Sequence, residues 1–318
     1  MELLYNSRFL EHDTGMHPEN PKRLELFNEL PEQQIIDGAP YLGLIHTSDY
    51  INELRLAHQY TDHMDNDTVI TPTSYAAATA AVGATIMASE SGDFALVRPP
   101  GHHAYSDHAS GFCLFNNVAI AAQRLVTEGK RVLIVDFDGH LGDGTSHIFY
   151  DTDQVFYWSL HQYPAFPHRG LPNEIGAGKG QGFTCNVLLP PNAGDDIFMD
   201  GFNNCLSIAK QFEPDVVAIS AGFDAHIYDL LLDLRITTNS YYRIGQLLRA
   251  NFDHLFATLE GGYNISELPH CVNSFLAGVN DQPLPKSEVE TTSRLTTWDT
   301  YELHLHSTLG QLKPYWNF

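Results

Sequence analysis

Histidine and carboxylate residues recur along this chain at spacings that suit a metal-dependent hydrolase. The sequence Arg-Pro-Pro-Gly-His-His ends at His102 and His103, and Asp136, Asp138 and His140 follow at alternate positions. Because side chains alternate between the two faces of a strand, these last three leave an extended segment on the same side. The apolar run before them is typical of a strand buried in a parallel sheet, and ligands gather at the carboxyl ends of such strands. We therefore expect the polar groups to converge there.

Asp138, His140 and Asp224 are the predicted metal ligands. Two carboxylates and one imidazole leave a fourth coordination position open, as in catalytic zinc sites that hold water or substrate. A lone Asp-x-Asp-x-His is more often a helix cap or a loop turn. The accompanying motifs favour the metal site over that alternative.

His102 and His103 are the predicted bases. A metal lowers the pKa of bound water from about 15.7 to near 7, but the attacking water must still lose its proton to a positioned base. Neighbouring residues of an extended loop point in different directions. One imidazole is therefore expected to act as the base and the other as an acid or electrostatic partner, with Asp136 and Asp143 behind them. The alternative for an isolated pair is an exposed turn.

Tyr263 follows an apolar strand and a Gly-Gly turn, which places its phenol near the same rim of the sheet. A phenol there can donate a hydrogen bond to an oxyanion. Gly111 and Phe112 in Gly-Phe-Cys, and Phe166 in Pro-Ala-Phe-Pro, are the candidate substrate-binding residues, since the two rings suit a slot for an alkyl chain. Loop packing of Tyr263 and core packing of the rings are the alternatives.

The elements that must position these residues alternate between strand and helix, which predicts an α/β fold. We expect residues 1–318 to form a single domain, with the polar segment 280–318 packing on it and residues 298–318 forming a helix or an arm. Strands are predicted at 94–97, 132–135, 155–160, 216–219 and 255–259, and helices at 74–88, 116–127, 145–150, 197–211 and 240–251.

Composition narrows the partners and the compartment. The chain has 17 basic and 39 acidic residues, a formal net charge of -22, which repels nucleic acid and attracts cationic small molecules or basic peptides. Solubility alone is an equal explanation for this charge. The four cysteines are widely spaced, the first residues do not resemble a signal peptide, and no apolar run reaches about 18 residues. We expect a cytoplasmic protein with reduced thiols and no membrane contact.

Taken together, the motifs resemble the histone deacetylase superfamily, in particular class II-like histone deacetylases and acetylpolyamine amidohydrolases. The resemblance begins at His12 and continues past Tyr263. It implies the arginase/deacetylase fold, with a central, mostly parallel β-sheet flanked by helices on both faces. The motifs are Arg98-Pro-Pro-Gly-His102-His103, Gly111-Phe-Cys, Asp136-Phe-Asp-Gly-His140-Leu-Gly-Asp-Gly-Thr145, Ser159-Leu-His, Ser220-Ala-Gly-Phe-Asp224 and Glu260-Gly-Gly-Tyr263.

The resemblance also implies a role for each group. One zinc ion is held by the three ligands named above, the two histidines flank the attacking water, and Tyr263 polarises the acetyl carbonyl. Asp67 orients the substrate at the rim, and Arg23 lies near an internal cavity through which acetate leaves. Structural potassium ions are expected from the resemblance at two sets of residues, the first comprising Asp136, Asp138, His140, Ser159 and Leu160 and the second including Phe149, Thr152 and Val155.

Two departures from the family pattern bear on activity and specificity. Leu141 stands where most relatives have a second histidine, which removes no ligand. Asp229-Leu-Leu-Leu-Asp233 replaces the common Asp-Pro-Leu-Gly-Gly and remodels the rim. Polyamine-specific relatives carry an acidic residue at the position of Leu231, although Asp233 lies nearby.

The favoured substrate is an acetylpolyamine. The loop 159–168 is more similar to acetylpolyamine amidohydrolases than to eukaryotic histone enzymes, and the negative charge agrees with a small cation. Acetyl-lysine in peptides or histone-like proteins is the alternative, since basic peptides respond to the same field. We expect a monomer or a dimer.

Two remote alternatives remain. An arginase-type ureohydrolase needs two bridged manganese ions and a further carboxylate where this chain has His226. A non-catalytic protein that binds acylated amines would tolerate the loss of Tyr263 or of a base.

Overall fold

Seven strands form one parallel sheet in the computed structural model, which describes residues 1–27, 30 and 32–317. The strand order is β1-β2-β7-β6-β3-β4-β5, and every pairing is parallel among these residues. This confirms the prediction of an α/β fold with a parallel sheet. The strands are β1 Leu3–Leu4, β2 Phe94–Ala95, β3 Val132–Asp136, β4 Val155–Gln162, β5 Thr184–Leu189, β6 Val216–Ala221 and β7 Leu255–Leu259.

The central strand β3 is buried along its whole length, as its run of β-branched residues predicts. Its neighbours are β6 and β4, with Asp136 opposite Ser220 on one side and Ser159 on the other. Because all the strands run in the same direction, their carboxyl ends meet at one edge of the sheet. The ends of β2, β7, β6 and β3, which are adjacent in that order, and the segments that follow them carry the predicted catalytic residues and metal ligands.

Helices flank the sheet. The alanine-rich helix α3 packs against β2 and β7 and contacts α4, while α6 packs against β4 and β5 and contacts α7. The helices are α1 Lys22–Glu25, α2 Ser48–Leu56, α3 Ser74–Ser91, α4 Asn117–Thr127, α5 Asp143–Ile148, α6 Asp195–Gln211, α7 Thr238–Asn251, α8 Leu268–Val279 and α9 Leu295–Leu312. Within the described part of the chain, none of them has the length and apolar character that crossing a bilayer requires.

Several elements differ from the sequence prediction. Strands β1 and β5 and helices α1, α2 and α8 were not predicted. The two-residue β1 is too short for any periodic signal, and the polar Thr184 and Asn186 interrupt the apolar pattern of β5 although both side chains are buried. Helix α5 begins at Asp143, two residues earlier than expected.

The C-terminal segment contains a helix that lies against β5. Helix α9 begins three residues before Trp298, where the predicted helix or arm was placed to start. Its Thr308 hydroxyl donates to the carbonyl of Asn186 at 2.9 Å. Beyond the helix, the indole nitrogen of Trp316 donates to the carbonyl of Gly182 at 2.6 Å. The segment therefore covers the edge of the sheet that β5 would otherwise expose.

A buried ionic cluster fastens the N-terminal segment beneath the functional edge of the sheet. The carboxylate of Glu19, only 1% exposed, accepts hydrogen bonds from Arg98 at 2.7 Å and from Arg23 at 3.1 Å. Burial alone would raise the pKa of Glu19, but the two guanidinium groups outweigh burial and lower it to about 2. Both arginines are completely buried, so this carboxylate is a counterion that water cannot replace.

Glu19→Gln should therefore destabilise the protein by about 3 to 5 kcal/mol, because two guanidinium groups would remain buried beside a neutral amide. Urea unfolding at pH 7 measures the difference. Glu90→Gln is the matched control, since Glu90 pairs with Arg124 at the surface and its loss should cost about 1 kcal/mol or less. Equal midpoints for the two variants would contradict the role of the cluster.

The difference in unfolding free energy between the parent and Glu19→Gln should decrease as the pH falls. The folded-state pKa of Glu19 lies below its ordinary value of 4.5, so its contribution is present above pH 4.5 and is lost as the pH falls toward about 2. The gap in unfolding free energy between the parent and Glu19→Gln should narrow over that window. A gap that is constant down to pH 2 would assign the stabilisation to packing.

Candidate active site

Asp138, His140 and Asp224 converge at the carboxyl edge of β3 and β6. One ligand atom of each lies within 4.8 Å of the others, and the two carboxylates are at most 1% exposed. The Nδ1 atom of His140 lies 2.6 Å from Asp224 Oδ2 and 3.4 Å from Asp138 Oδ1. Asp138 and His140 follow β3 and Asp224 follows β6, so parallel pairing of these neighbouring strands brings the group together.

Two glycines make the close approach of these carboxylates to the backbone possible. A Cβ atom on Gly222 would lie 2.0 Å from Asp138 Oδ2. A Cβ atom on Gly261 would lie 2.6 Å from the same oxygen and 2.8 Å from Asp224 Oδ2. The amide of Gly261 instead donates to Asp138 Oδ2 at 2.7 Å, and the amide of Gly139 donates to Asp224 Oδ1 at 2.6 Å. The absence of a side chain at these glycines, which we call the glycine cradle, thus lets backbone amides fix the two carboxylates.

The electrostatics of this group favour a cation. Burial, and then the neighbouring Asp138 carboxylate, raise the pKa of Asp224 to about 7. A divalent ion between the two carboxylates would offset the cost of burying both charges. Two carboxylate ligands and one imidazole ligand are a donor set that zinc accepts in catalytic sites. The residues present therefore fit the metal that the sequence predicted.

His102 and His103 each lie against a carboxylate. The Nδ1 atom of His102 is 3.1 Å from Asp136 Oδ2, and that of His103 is 2.7 Å from Asp143 Oδ1. The two imidazole rings are 4.1 Å apart, and the His103 ring is 6.1 Å from that of His140. Both imidazole–carboxylate pairs that the sequence predicted are therefore in contact, next to the candidate metal ligands.

The two imidazoles have opposite pKa shifts. Burial by itself lowers the pKa of His102, but the carboxylates of Asp138 and Asp136 outweigh it and raise that pKa well above its ordinary value. Burial, and then the charge of His102, lower the pKa of His103 to about 4. Adjacent titratable groups whose environments separate their pKa values in this way are typical of acid–base sites.

Two residues without a role predicted from the sequence hold the loop of His102 and its partner Asp136 in place. Glu260 Oε2 accepts hydrogen bonds from the amides of Gly101 and His102 at 2.7 and 3.1 Å. The hydroxyl of Tyr157 donates to Asp136 Oδ2 at 2.8 Å. Glu260 belongs to the Glu260-Gly-Gly-Tyr263 motif, but only the tertiary structure shows that its carboxylate holds the histidine loop.

Tyr263 follows β7 and the Gly-Gly turn, and its side chain is buried. Burial raises its pKa well above the ordinary value, so the phenol keeps its proton at neutral pH. The guanidinium of Arg23 lies 5.0 Å from the Tyr263 ring and donates to the carbonyl of Gly262 at 2.7 Å. Arg23 is thus a direct neighbour of the phenol-bearing turn.

Asp229 fastens the same turn from the rim loop. Its Oδ2 atom accepts the amides of Tyr263 at 2.6 Å and Asn264 at 3.1 Å, while Oδ1 accepts those of Leu230 and Leu231. Both carboxylate oxygens are therefore used by backbone amides. The sequence of this segment indicates only an altered rim, and the anchoring role of Asp229 is evident only from the tertiary structure.

Aromatic rings line the approach to the site. Phe166 is 44% exposed and lies 5.1 Å from His103, and Phe112 lies 5.8 Å from Tyr263, in both cases between ring centroids. Gly111 has a φ of 52°, and a Cβ atom there would lie 2.7 Å from the His103 ring. The two rings thus border the site rather than the main core.

Asp67 is exposed in a loop next to Phe112. Asp65 Oδ1 accepts the amides of Asp67 and Thr68, and the Thr68 hydroxyl accepts the amide of Phe112 at 3.1 Å. The Asp67 side chain makes no hydrogen bond among the described residues, but its loop is hydrogen-bonded to the backbone of Phe112.

The residues expected to hold potassium fall into two places. Asp136 pairs with Ser159 across β3 and β4, beside Asp138, His140 and Leu160. Phe149 follows the last residue of α5, and its carbonyl accepts the amide of Thr152 at 3.5 Å just before β4 begins at Val155. Leu141 is buried, so its side chain belongs to the packing beneath the site.

A second group of metal-ligand types, His226, Glu267 and Glu288, lies elsewhere in the described residues. His226 Nε2 is 3.1 Å from Glu288, and Lys286 Nζ lies 2.5 Å from Glu267 and 3.7 Å from Glu288. The ammonium group already supplies the positive charge at this position. The group therefore joins the C-terminal segment to the domain and has no need of a metal.

Comparison with known proteins decides the family. The family model described as the histone deacetylase domain matches residues 17–279 of this chain. The chain belongs to the histone deacetylase family. This match confirms the resemblance on which the sequence analysis drew, and it covers every predicted catalytic and metal-binding residue.

Relatives of this deacetylase occur in distant organisms. A probable deacetylase of Archaeoglobus fulgidus is 34% identical over 291 residues, which cover 83% of this chain and 81% of the relative. Histone deacetylase 10, chloroplastic, of Oryza sativa subsp. japonica is 33% identical over 315 residues, which cover 85% of this chain and 71% of the relative. The crystal structure of the HDA15 HD domain superposes with a TM-score of 0.88 at 30% identity and covers 98% of each chain. The fold is therefore that of the histone deacetylase domain.

His140→Ala should weaken zinc binding by about a hundredfold or more, because losing even an outer partner of a metal ligand costs ten- to a hundredfold. Competition with a chromophoric chelator at fixed pH measures the affinity. His254→Ala, at an exposed histidine before β7, is the control and should leave the affinity unchanged. Equal affinities for both variants would remove His140 from the ligand set.

Proposed function

We propose that this protein is a zinc-dependent deacetylase that hydrolyses the amide between an acetyl group and an amine on an alkyl chain. The observation that carries the proposal is the convergence of Asp138, His140 and Asp224 with two imidazole–carboxylate pairs and the phenol of Tyr263. In the reaction, water adds to the acetyl carbonyl, the amide C–N bond breaks, and the amine leaves with a proton. The names of the relatives, a probable deacetylase and histone deacetylases, agree with this reaction.

Zinc, when bound by Asp138, His140 and Asp224, supplies a Lewis acid that polarises the acetyl carbonyl and lowers the pKa of the attacking water. The buried carboxylates and the glycine cradle support this assignment. Zinc is favoured over a hard cation such as magnesium because the set includes an imidazole.

His103 is the proposed general base. Its lowered pKa keeps the imidazole neutral, and Asp143 holds Nδ1, so Nε2 is the nitrogen that accepts the proton of the water. The same nitrogen then passes the proton to the leaving amine. His102, whose pKa is raised, supplies positive charge beside the developing oxyanion.

Tyr263 is the proposed donor to the oxyanion. Its phenol stays protonated at neutral pH, and Asp229 and Arg23 fix the turn that carries it. A donor fixed in advance stabilises the transition state without reorganisation.

Acetyl-lysine in a peptide or protein is the substrate that the rim supports best. Phe112 and Phe166 suit an alkyl chain, and the nearby lip exposes aliphatic residues, with Leu230 75% and Leu231 37% exposed. Asp229 has both carboxylate oxygens engaged by backbone amides, so it is not available to bind a second ammonium group.

Acetylpolyamine, which the sequence favours, is the second candidate. A formal charge of -22 attracts a small polycation, and Asp233 is exposed near the lip.

Other expectations stay predictions. Potassium binding rests on the family resemblance. A cytoplasmic location agrees with the four free, buried cysteines, although two relatives are named chloroplastic. Assembly as a monomer or dimer is a further prediction.

A panel of substrates tests the choice between acetyl-lysine and acetylpolyamine. Acetyl-lysine peptides should be hydrolysed with at least about tenfold higher kcat/KM than acetylspermidine or acetylputrescine, with the metal-stripped protein as the blank. Turnover of the polyamines far above that of the peptides would reverse the order, and absence of turnover in every arm would defeat the proposed function.

Leu231→Glu gives the panel a matched variant. A carboxylate at this place should raise kcat/KM for acetylspermidine by about tenfold, because it pairs with the second ammonium group. Leu230→Glu adds the same charge at the more exposed neighbour and should have a smaller effect. Equal effects would mean that overall charge, and not the position at the lip, governs specificity.

Tyr263→Phe separates the deacetylase from a non-catalytic binding protein. Removing the phenol hydroxyl should lower kcat by about 10² to 10³, since one oxyanion donor is lost. Zinc content and the thermal midpoint should not change. Full activity in this variant would contradict the assigned role of Tyr263.

A further inference from the structure

We propose that Tyr105 and Arg169 are positioning residues that hold the Asp143–His103 pair in its working geometry. This inference rests on the deacetylase function proposed above and adds two residues outside the ligand set and the substrate channel. Tyr105 lies two residues after His103, and Arg169 lies in the long loop after β4.

Tyr105 occupies the second oxygen of the Asp143 carboxylate. Asp143 Oδ1 faces His103 Nδ1 at 2.7 Å, while Oδ2 accepts the Tyr105 hydroxyl at 2.9 Å. The carboxylate is only 6% exposed, so water cannot readily replace either donor. It cannot rotate without losing one of these hydrogen bonds. The phenol therefore fixes the plane of the carboxylate and, through it, the orientation of the imidazole.

Arg169 extends the chain of hydrogen bonds to the surface. Its Nη1 atom donates to the Tyr105 hydroxyl oxygen at 3.2 Å, and its Nε atom lies 3.8 Å from Glu174. A phenol that accepts a hydrogen bond from a cation becomes a stronger donor. The guanidinium thus strengthens the bond between Tyr105 and Asp143, and Arg169 acts on the Asp143–His103 pair through Tyr105.

The Tyr105 ring is itself held in place. It stacks on His108, with ring centroids 4.4 Å apart and an interplanar angle of 15°, and it lies 5.1 Å from His147. Burial, and then the charge of Asp143, raise the pKa of Tyr105 well above its ordinary value. The hydroxyl therefore remains a proton donor throughout the neutral range, and its lone pair is left for Arg169.

The kinetic test uses two variants and their combination. Tyr105→Phe should lower kcat by about tenfold while leaving KM for an acetyl-lysine peptide unchanged, since the aromatic channel is untouched. Arg169→Gln should lower kcat by about threefold, and in the Tyr105→Phe background it should have no further effect. Independent, multiplying effects would overturn the proposed chain, as would full activity in Tyr105→Phe.

Matched controls separate positioning from general stability. Tyr242→Phe removes a phenol on helix α7 that donates to the carbonyl of Gln282, and it should leave kcat unchanged. Arg169→Lys keeps a cationic donor and should retain most of the activity. A loss of kcat in Tyr242→Phe equal to that in Tyr105→Phe would assign the effect to the fold.

A second readout is independent of turnover. In histidine-labelled protein, the His103 Nδ1–H resonance reports the hydrogen bond to Asp143. The chemical shift of this resonance should change in Tyr105→Phe and remain unchanged in Tyr242→Phe. If the parent hydrolyses none of the acetylated substrates, the proposed function fails while this measurement still tests the positioning. An unmoved resonance in Tyr105→Phe would overturn the inference.

Discussion

The constraint on which the whole site depends is the burial of several carboxylates at one edge of the sheet. Asp136, Asp138, Asp224 and Glu260 are all at most 1% exposed. Their charges cannot be left without compensation in so apolar an environment. Backbone amides, hydroxyl groups and the imidazoles of His102 and His140 supply part of the compensation, and the proposed zinc ion would supply the rest. The chemistry of the site follows from this arrangement.

The order of the strands explains how one edge gathers so many groups. β2, β7, β6 and β3 are neighbours, and the loops after them supply in turn the histidine pair, Tyr263, Asp224 and the pair Asp138 and His140. These groups are far apart in the sequence, and parallel pairing alone brings them together. The ionic cluster around Glu19 then connects the N-terminal segment to the turn that carries Tyr263, through Arg23.

The central part of this arrangement could be predicted from the sequence because it depends on local periodicity. Asp136, Asp138 and His140 continue the alternation of a strand, and the apolar runs define the neighbours. The roles of Asp229, Glu260 and Tyr105 could not be predicted in this way. Each acts through a hydrogen bond to a residue that lies far along the chain or on another element, and single side chains carry no periodic signal of such contacts. Strand β5 was missed because its buried polar residues interrupt the apolar pattern.

The most direct test of the central claim is an anomalous diffraction measurement at the zinc absorption edge on crystals of the zinc-loaded protein. The account predicts one peak, about 2.0 to 2.2 Å from ligand atoms of Asp138, His140 and Asp224. A peak at the His226–Glu288 group instead, or no peak between the two buried carboxylates, would contradict it.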